Sequence, residues 1–151
     1  MSNIKIRQMR IEDIEKVAEL AMLANPFADK ETYKKHLLDE LKLNPELSIV
    51  AVNEKDEVIG YAQADVHGKM AVLEDIAVSK DWQGKGVGRK LLEKEIEMLK
   101  KKSAKIVRAE VHYKCAYAIP FYYKFGFRIV GFEQDHFGIG HDAIILKLQL
   151  E

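Results

Sequence analysis

The chain has 151 residues, 48% hydrophobic and 32% charged, which suits a globular domain able to bury a full core. Lys plus Arg and Asp plus Glu each number 24, so no global field recruits nucleic acid or a membrane surface. The apolar runs are too short to span a bilayer. Cys115 is the single cysteine, which excludes an internal disulfide and a Cys-based cluster, and no metal is expected. Nothing near Met1 reads as a signal peptide, so the expected address is cytoplasmic.

Ile4 and Ile6, with Lys5 and Arg7 between them, predict a first strand. Ile14, Val17, Ala18 and Ala21 recur at helical spacing, behind Glu12 and Asp13 in a first turn that favours acids. Asn25-Pro26 breaks this helix, and Asp29 caps a second whose stripe is Tyr33, Leu37, Leu38 and Leu41. Asn44-Pro45 ends it. Strands follow over 47–53 and 58–65, joined by the charged turn Glu54-Lys55-Asp56-Glu57, and a third over 70–78 after a turn at His67-Gly68. A glycine-rich segment then opens a helix with inner face Val87, Leu91, Leu92, Ile96 and Leu99. The run Lys100-Lys101-Lys102 reads as its solvated end, since no aromatics interleave it. A strand over 106–111, a helix closed by Gly126, and strands over 127–132 and 143–150 complete the chain. Without a repeat or linker, the order β-α-α-β-β-β-α-β-α-β-β predicts one α/β domain, 1–151, with a mixed sheet.

Gly84, Gly86 and Gly88 sit at alternate positions between a strand and a helix. Glycines admit strained dihedrals and let a ligand approach the main chain, and the helix start near Val87 aims unpaired N–H groups at the loop. Lys85, Arg89 and Lys90 add positive charge, so the combination suits a phosphate. It is not a Walker loop, because Gly84-Lys85 is followed by Gly86 rather than Ser or Thr. Nor is it a dinucleotide fingerprint, because position 89 is Arg and the segment follows four predicted strands.

The run Val72-Leu73-Glu74-Asp75-Ile76-Ala77-Val78, followed by Gln83-Gly84-Lys85-Gly86-Val87-Gly88-Arg89, resembles the coenzyme A motif of the GNAT superfamily of N-acyltransferases. A second block, Ala118-Ile119-Pro120-Phe121-Tyr122-Tyr123-Lys124-Phe125-Gly126-Phe127, is similar to that family's later helix and its Gly-Phe exit. The resemblance covers nearly the whole chain. It implies the GNAT fold: a mixed, mostly antiparallel sheet, splayed at the cofactor strand and flanked by about four helices. It also implies acetyl-CoA as co-substrate, with residues 83–89 on its pyrophosphate and the free backbone of Ile76, Ala77 and Val78 on its pantetheine arm. Cys115 stands where many members place an Asn that contacts the cofactor, so that contact departs from the pattern. A homodimer is a further expectation of the resemblance.

An amine acceptor with a lysine-like pKa of ~10.4 costs on the order of 4–5 kcal/mol to hold neutral at pH 7, so a proton acceptor is needed. The departing thiolate also needs a donor. Tyr122 matches the family's general-acid tyrosine, and its neighbour Tyr123 must point elsewhere on a helix. For the base, Glu74 resembles the acid of polyamine acetyltransferases, whereas Glu110 matches that of ribosomal-protein amino-terminal acetyltransferases. His112 shares the strand face of Glu110. Glu74 is the first expectation. His136 and His141, near a Gly-Ile-Gly-His stretch resembling one small branch of the family, are expected at the acceptor mouth rather than as metal ligands. The acceptor is a small-molecule or peptide amine. The alternative is a non-catalytic acyl-CoA-binding sensor or assembly module, which would need the loop but neither Tyr122 nor a base.

Overall fold

The computed structural model describes residues 3–25 and 27–150. Pro26, expected to break the first helix, lies outside the described residues, as do the first two positions and the last. The elements are β1 (Lys5–Gln8), α1 (Ile14–Ala24), α2 (Lys30–Leu43), β2 (Ser48–Val52), β3 (Val58–His67) and β4 (Met70–Val78). They continue with α3 (Val87–Lys101), β5 (Ile106–His112), α4 (Ile119–Lys124), β6 (Arg128–Glu133) and β7 (Ala143–Gln149). The seven strands form one sheet in the order β1-β2-β3-β4-β5-β7-β6, with β4 and β5 parallel and every other neighbour antiparallel. This is the mixed, mostly antiparallel sheet expected, with helices on both faces.

The local chemistry explains the boundaries. The Asp29 carboxylate accepts from the Thr32 N–H at 2.9 Å and so caps α2. α4 closes through the Phe127 N–H to Tyr122 O contact at 3.2 Å, with Gly126 at φ +99° beyond Phe125. One face of the sheet packs Val17, Ala21, Leu37, Val50 and Tyr61 under α1 and α2. The opposite face packs Ile49, Ala51, Ile59, Val87 and Leu91, then continues through Leu92, Leu99, Val107, Tyr122 and Phe127. Gly60 lets α3 settle closely, because a Cβ there would lie 3.1 Å from both Ala77 O and Leu91 Cδ1.

The inner face of α3 corrects the sequence reading at one position. Glu95 is fully buried, Ile96 only half-buried, and both Glu95 carboxyl oxygens lack partners among the described residues. Burial holds this acid neutral well above its ordinary value of 4.5. The unfolded chain releases that proton above about 4.5 and the native state does not, so this group's contribution to stability falls as pH rises. Glu95→Leu should therefore raise the melting midpoint by roughly 2–10 °C at pH 8, on an effect of about 1–3 kcal/mol, and by less at pH 5. Thermal unfolding followed by circular dichroism at the two pH values checks this; a lower midpoint at pH 8 would refute it.

Candidate active site

The sheet opens where β4 and β5 part. Their pairing runs from Met70 opposite Ile106 to Leu73 opposite Ala109 and stops there, although both strands continue. On its other side β4 stays paired to β3, but with a register shift: Gln63 faces Asp75 and Ala64 faces Leu73, leaving Glu74 as an inserted residue. This bulge resets the alternation. Leu73 packs with the α3-side core, while Asp75, two residues on, bonds Tyr61 of the α1–α2 side. Beyond it, Ile76, Ala77 and Val78 pair with β3 alone and keep their other edge free of β5.

The glycine loop lies at the far end of this strand. Gly84 and Gly86 have φ of +77° and +86°, and Gly86 sits left-handed at the start of α3. The N–H groups of residues 84–89 have no acceptor among the described residues, and they crowd the positive end of a 15-residue helix. Gln83 ties the loop back by donating from Nε2 to Val78 O at 3.0 Å. Lys85 Nζ lies 5.2 Å from the Trp82 ring centre, and Arg89, paired with Glu93 at 3.4 Å, is exposed. Gly88 faces Phe121, whose ring would sit 3.4 Å from a Cβ at this position. Open glycines, unpaired donors and exposed cations fit a pyrophosphate-bearing group.

The titratable residues fall into three groups. First, Glu74 joins Glu40 and Asp65, with carboxylate oxygens within 4.8 Å of one another. Desolvation, then the charges of Glu40, Asp65 and Glu110, push Glu74 up to about 7. Second, Asp75 accepts from the buried Tyr61 hydroxyl and from the Ile76 N–H. Burial pushes it up to about 7 against those hydrogen bonds and one from Asn25. Tyr122 is buried beside it; burial and the charges of Asp75 and Cys115 hold its hydroxyl protonated far above neutrality. Tyr123 points out and is exposed. Cys115, half-buried, donates from Sγ to Ala24 O at 3.1 Å, so this thiol fastens the turn before α4 to the end of α1. Burial raises its pKa as well.

The third group is held by stacking. Glu110 accepts from Arg108 Nε at 2.9 Å and lies 2.9 Å from His136 Nε2. Burial opposes a charge on His136, but Glu133 and Glu110 outweigh it and raise its pKa. His112 is buried, stacked on Phe27 at 4.1 Å, with its Nδ1 accepting the Lys114 N–H. Its neutral form therefore carries the proton on Nε2 and donates to His141 Nδ1, 2.9 Å away. Desolvation, with His141 and Lys114, lowers its pKa. The structure thus brings Tyr122 and Cys115 to Asp75, sets Glu74 in a separate carboxylate cluster, and ties His136 to Glu110. Sequence reading passed over Asp75, because regular alternation puts it on the face opposite Glu74. It also missed Glu40, although its i+3 spacing from Leu37 was a signal.

The acetyltransferase (GNAT) family model matches residues 14–127. The chain belongs to the GNAT family. A Bacillus subtilis relative described as a ribosomal protein bS18-alanine N-acetyltransferase is 28% identical over 93% of this chain and 92% of its own length. The spermidine N(1)-acetyltransferase of Thermoplasma acidophilum is 26% identical over 84% of this chain and 89% of its own length. Among solved structures, Ard1 from Thermoplasma volcanium aligns with a TM-score of 0.86 at 24% identity, covering 97% of each chain, and so shares the fold. Acetyltransferase chemistry with acetyl-CoA is supported at the level of this GNAT family. Among the described residues no helix is long and apolar enough to cross a membrane.

A Gly86→Val substitution forces a β-branched residue into a left-handed conformation costing roughly 1–2 kcal/mol, which should weaken coenzyme A binding about tenfold or more. Isothermal titration with coenzyme A measures this, and unchanged affinity would remove the loop from the cofactor site.

Proposed function

We propose that the protein moves an acetyl group from acetyl-CoA to a primary amine by direct attack in a ternary complex, without a covalent enzyme intermediate. The observation that carries this reading is the parting of β4 from β5 at Leu73–Ala109, between a glycine-built helix start and the buried Tyr122. The N–H groups of Gly84, Lys85, Gly86, Val87, Gly88 and Arg89 bind the pyrophosphate, with Gln83 bracing the loop. Ile76, Ala77 and Val78 offer their free backbone edge to the pantetheine arm. Acetyl-CoA supplies the activated thioester. Cys115, anchored to Ala24 O, shapes the turn between β5 and α4 and packs beside Asp75 and Tyr122.

Glu74 takes the proton from the incoming ammonium. Its pKa near 7 suits a base at neutral pH, and the carboxylates of Glu40 and Asp65 beside it attract a cationic amine. Glu110 is engaged by Arg108 and His136, which leaves it less free for this role. Tyr122, kept protonated, donates to the departing sulfur. Both curated relatives are named for amine acceptors, one a polyamine and the other an alanine amino group. A non-catalytic acyl-CoA-binding module would need the loop alone and would have no use for a carboxylate held near pH 7 next to two others.

Incubation with acetyl-CoA and a panel of amines, read by release of free thiol, tests catalysis and acceptor class together. Spermidine and a peptide with amino-terminal alanine are the two informative members. No acetyl transfer to any amine, with coenzyme A binding intact, would favour the binding module. Because Glu74 must lose its proton to act, kcat/KM should rise with pH through about 7. Glu74→Gln should abolish that limb and Asp75→Asn should retain it; the reverse pattern would transfer the role to Asp75. Tyr122→Phe should lower kcat by roughly 10²–10⁴ while sparing acetyl-CoA affinity. An equal loss in Tyr123→Phe with Tyr122→Phe silent would overturn that assignment.

A further inference from the structure

The turn between β6 and β7, residues 134–142, is fastened to the end of β5 by two histidines of its own. His136 reaches Glu110, and His141 reaches His112. Both β5 residues lie beyond Ala109, where β5 has already left β4, so the turn flanks the cleft. The Glu110 charge is felt by Glu74 across that gap. Between the two histidines, Phe137 packs against Phe27 of the segment between α1 and α2, with ring centres 6.1 Å apart. The two fastenings make opposite demands for protons.

His136 is held between acids. Its Nδ1 lies 2.5 Å from Glu133 Oε2, and its Nε2 lies 2.9 Å from Glu110 Oε1. Ionised carboxylates only accept, so both ring nitrogens must donate, and the contact is complete only in the imidazolium form. Arg108 braces the same two acids, 2.9 Å from Glu110 and 4.0 Å from Glu133. A neutral His136 would turn a lone pair toward one of them.

His112 makes the contrary demand. The Lys114 N–H donates to its Nδ1 at 3.1 Å, so the ring's one proton sits on Nε2 and points at His141 Nδ1, 2.9 Å away. A proton added to His141 Nδ1 would set two N–H groups face to face. One added to His112 Nδ1 would meet the Lys114 N–H. His112 is also 2% exposed, stacked on Phe27 at 4.1 Å and on Tyr113 at 4.7 Å, so a charge there is poorly hydrated. Lys114 opposes that charge, and Asp142 favours it. We infer that the 134–142 turn is a strap beside the cleft that closes fully only within a pH window, held by one charged and one neutral histidine contact.

The window is set from both sides. At His136 burial opposes the charge, but Glu133 and Glu110 outweigh it and raise the pKa above the ordinary 6.5. Its contribution is complete below 6.5 and is lost as pH rises through the raised value. Burial, with His141 and Lys114, lowers the pKa of His112, so its contribution is complete above 6.5 and fades as pH falls through the lowered value. Closure is therefore strongest near pH 6.5 and weakens in both directions.

NMR of the isotope-labelled protein from about pH 5 to 8.5 tests the strap independently of catalysis. Ring correlations should place the proton of neutral His112 on Nε2, with His136 titrating above 6.5 and His112 below it. Backbone order parameters of residues 137–141 should pass through a maximum near pH 6.5. His136→Ala should remove the alkaline fall and keep the acid one, and His141→Ala should do the reverse. A His112 proton on Nδ1, or turn order that is flat or changes in one direction only, would overturn the strap. So would a maximum that survives unchanged in both variants.

Discussion

Everything that places chemistry in this molecule depends on a parallel ladder that ends early. Parallel strands need a long crossover, and here α3 supplies it, carrying the chain from the end of β4 to the start of β5. The crossover brings Met70 beside Ile106 and holds the two strands together for four residue pairs. After Leu73 and Ala109 they diverge, and a sheet interior becomes a cleft with backbone groups on its wall. The same crossover fixes the helix start. Because α3 begins at the carboxyl end of β4, its unpaired N–H groups and the free edge of residues 76–78 belong to one continuous surface.

The bulge at Glu74 gives the cleft its electrostatics. One inserted residue sends Glu74 toward Glu40 and Asp65 and turns Asp75 to Tyr61, away from the face that Leu73 occupies. Both acids arrive at about pH 7 by different routes. Glu74 owes its position to desolvation reinforced by neighbouring negative charge, whereas Asp75 is raised by burial against hydrogen bonds that favour its ionised form. The Asp75 charge in turn helps to keep the Tyr122 hydroxyl protonated. Two carboxyl groups adjacent in sequence thus serve separate environments, one beside Glu40 and Asp65, the other facing the buried tyrosines.

Around the end of β5, polar side chains are held by stacking and by each other. His112 is fixed between Phe27 and the Lys114 N–H, which sets its tautomer and aims its proton at His141. Glu110 is clamped by Arg108 and His136. These contacts join the segment after α1, the end of β5 and the turn before β7.

Much of this was legible in the residues themselves. Periodicity and punctuation marked the eleven principal strands and helices in order, and glycine spacing placed a turn-rich segment at the start of α3, because these signals are local. The choice between Tyr122 and Tyr123 needed only the knowledge that adjacent helical residues diverge; the fold decided which faces inward. What the chain alone did not disclose depends on contacts between distant segments. A bulge is a property of two paired strands, so the side on which Asp75 emerges could not be read from alternation in one. Glu95 lies outside the apolar stripe read for α3 and is nevertheless buried, on the same helix that packs Leu92 and Leu99 into the core. Residue types and spacings determined the elements; the tertiary structure decided which acids lie together, because burial and charge coupling act through distance rather than along the chain.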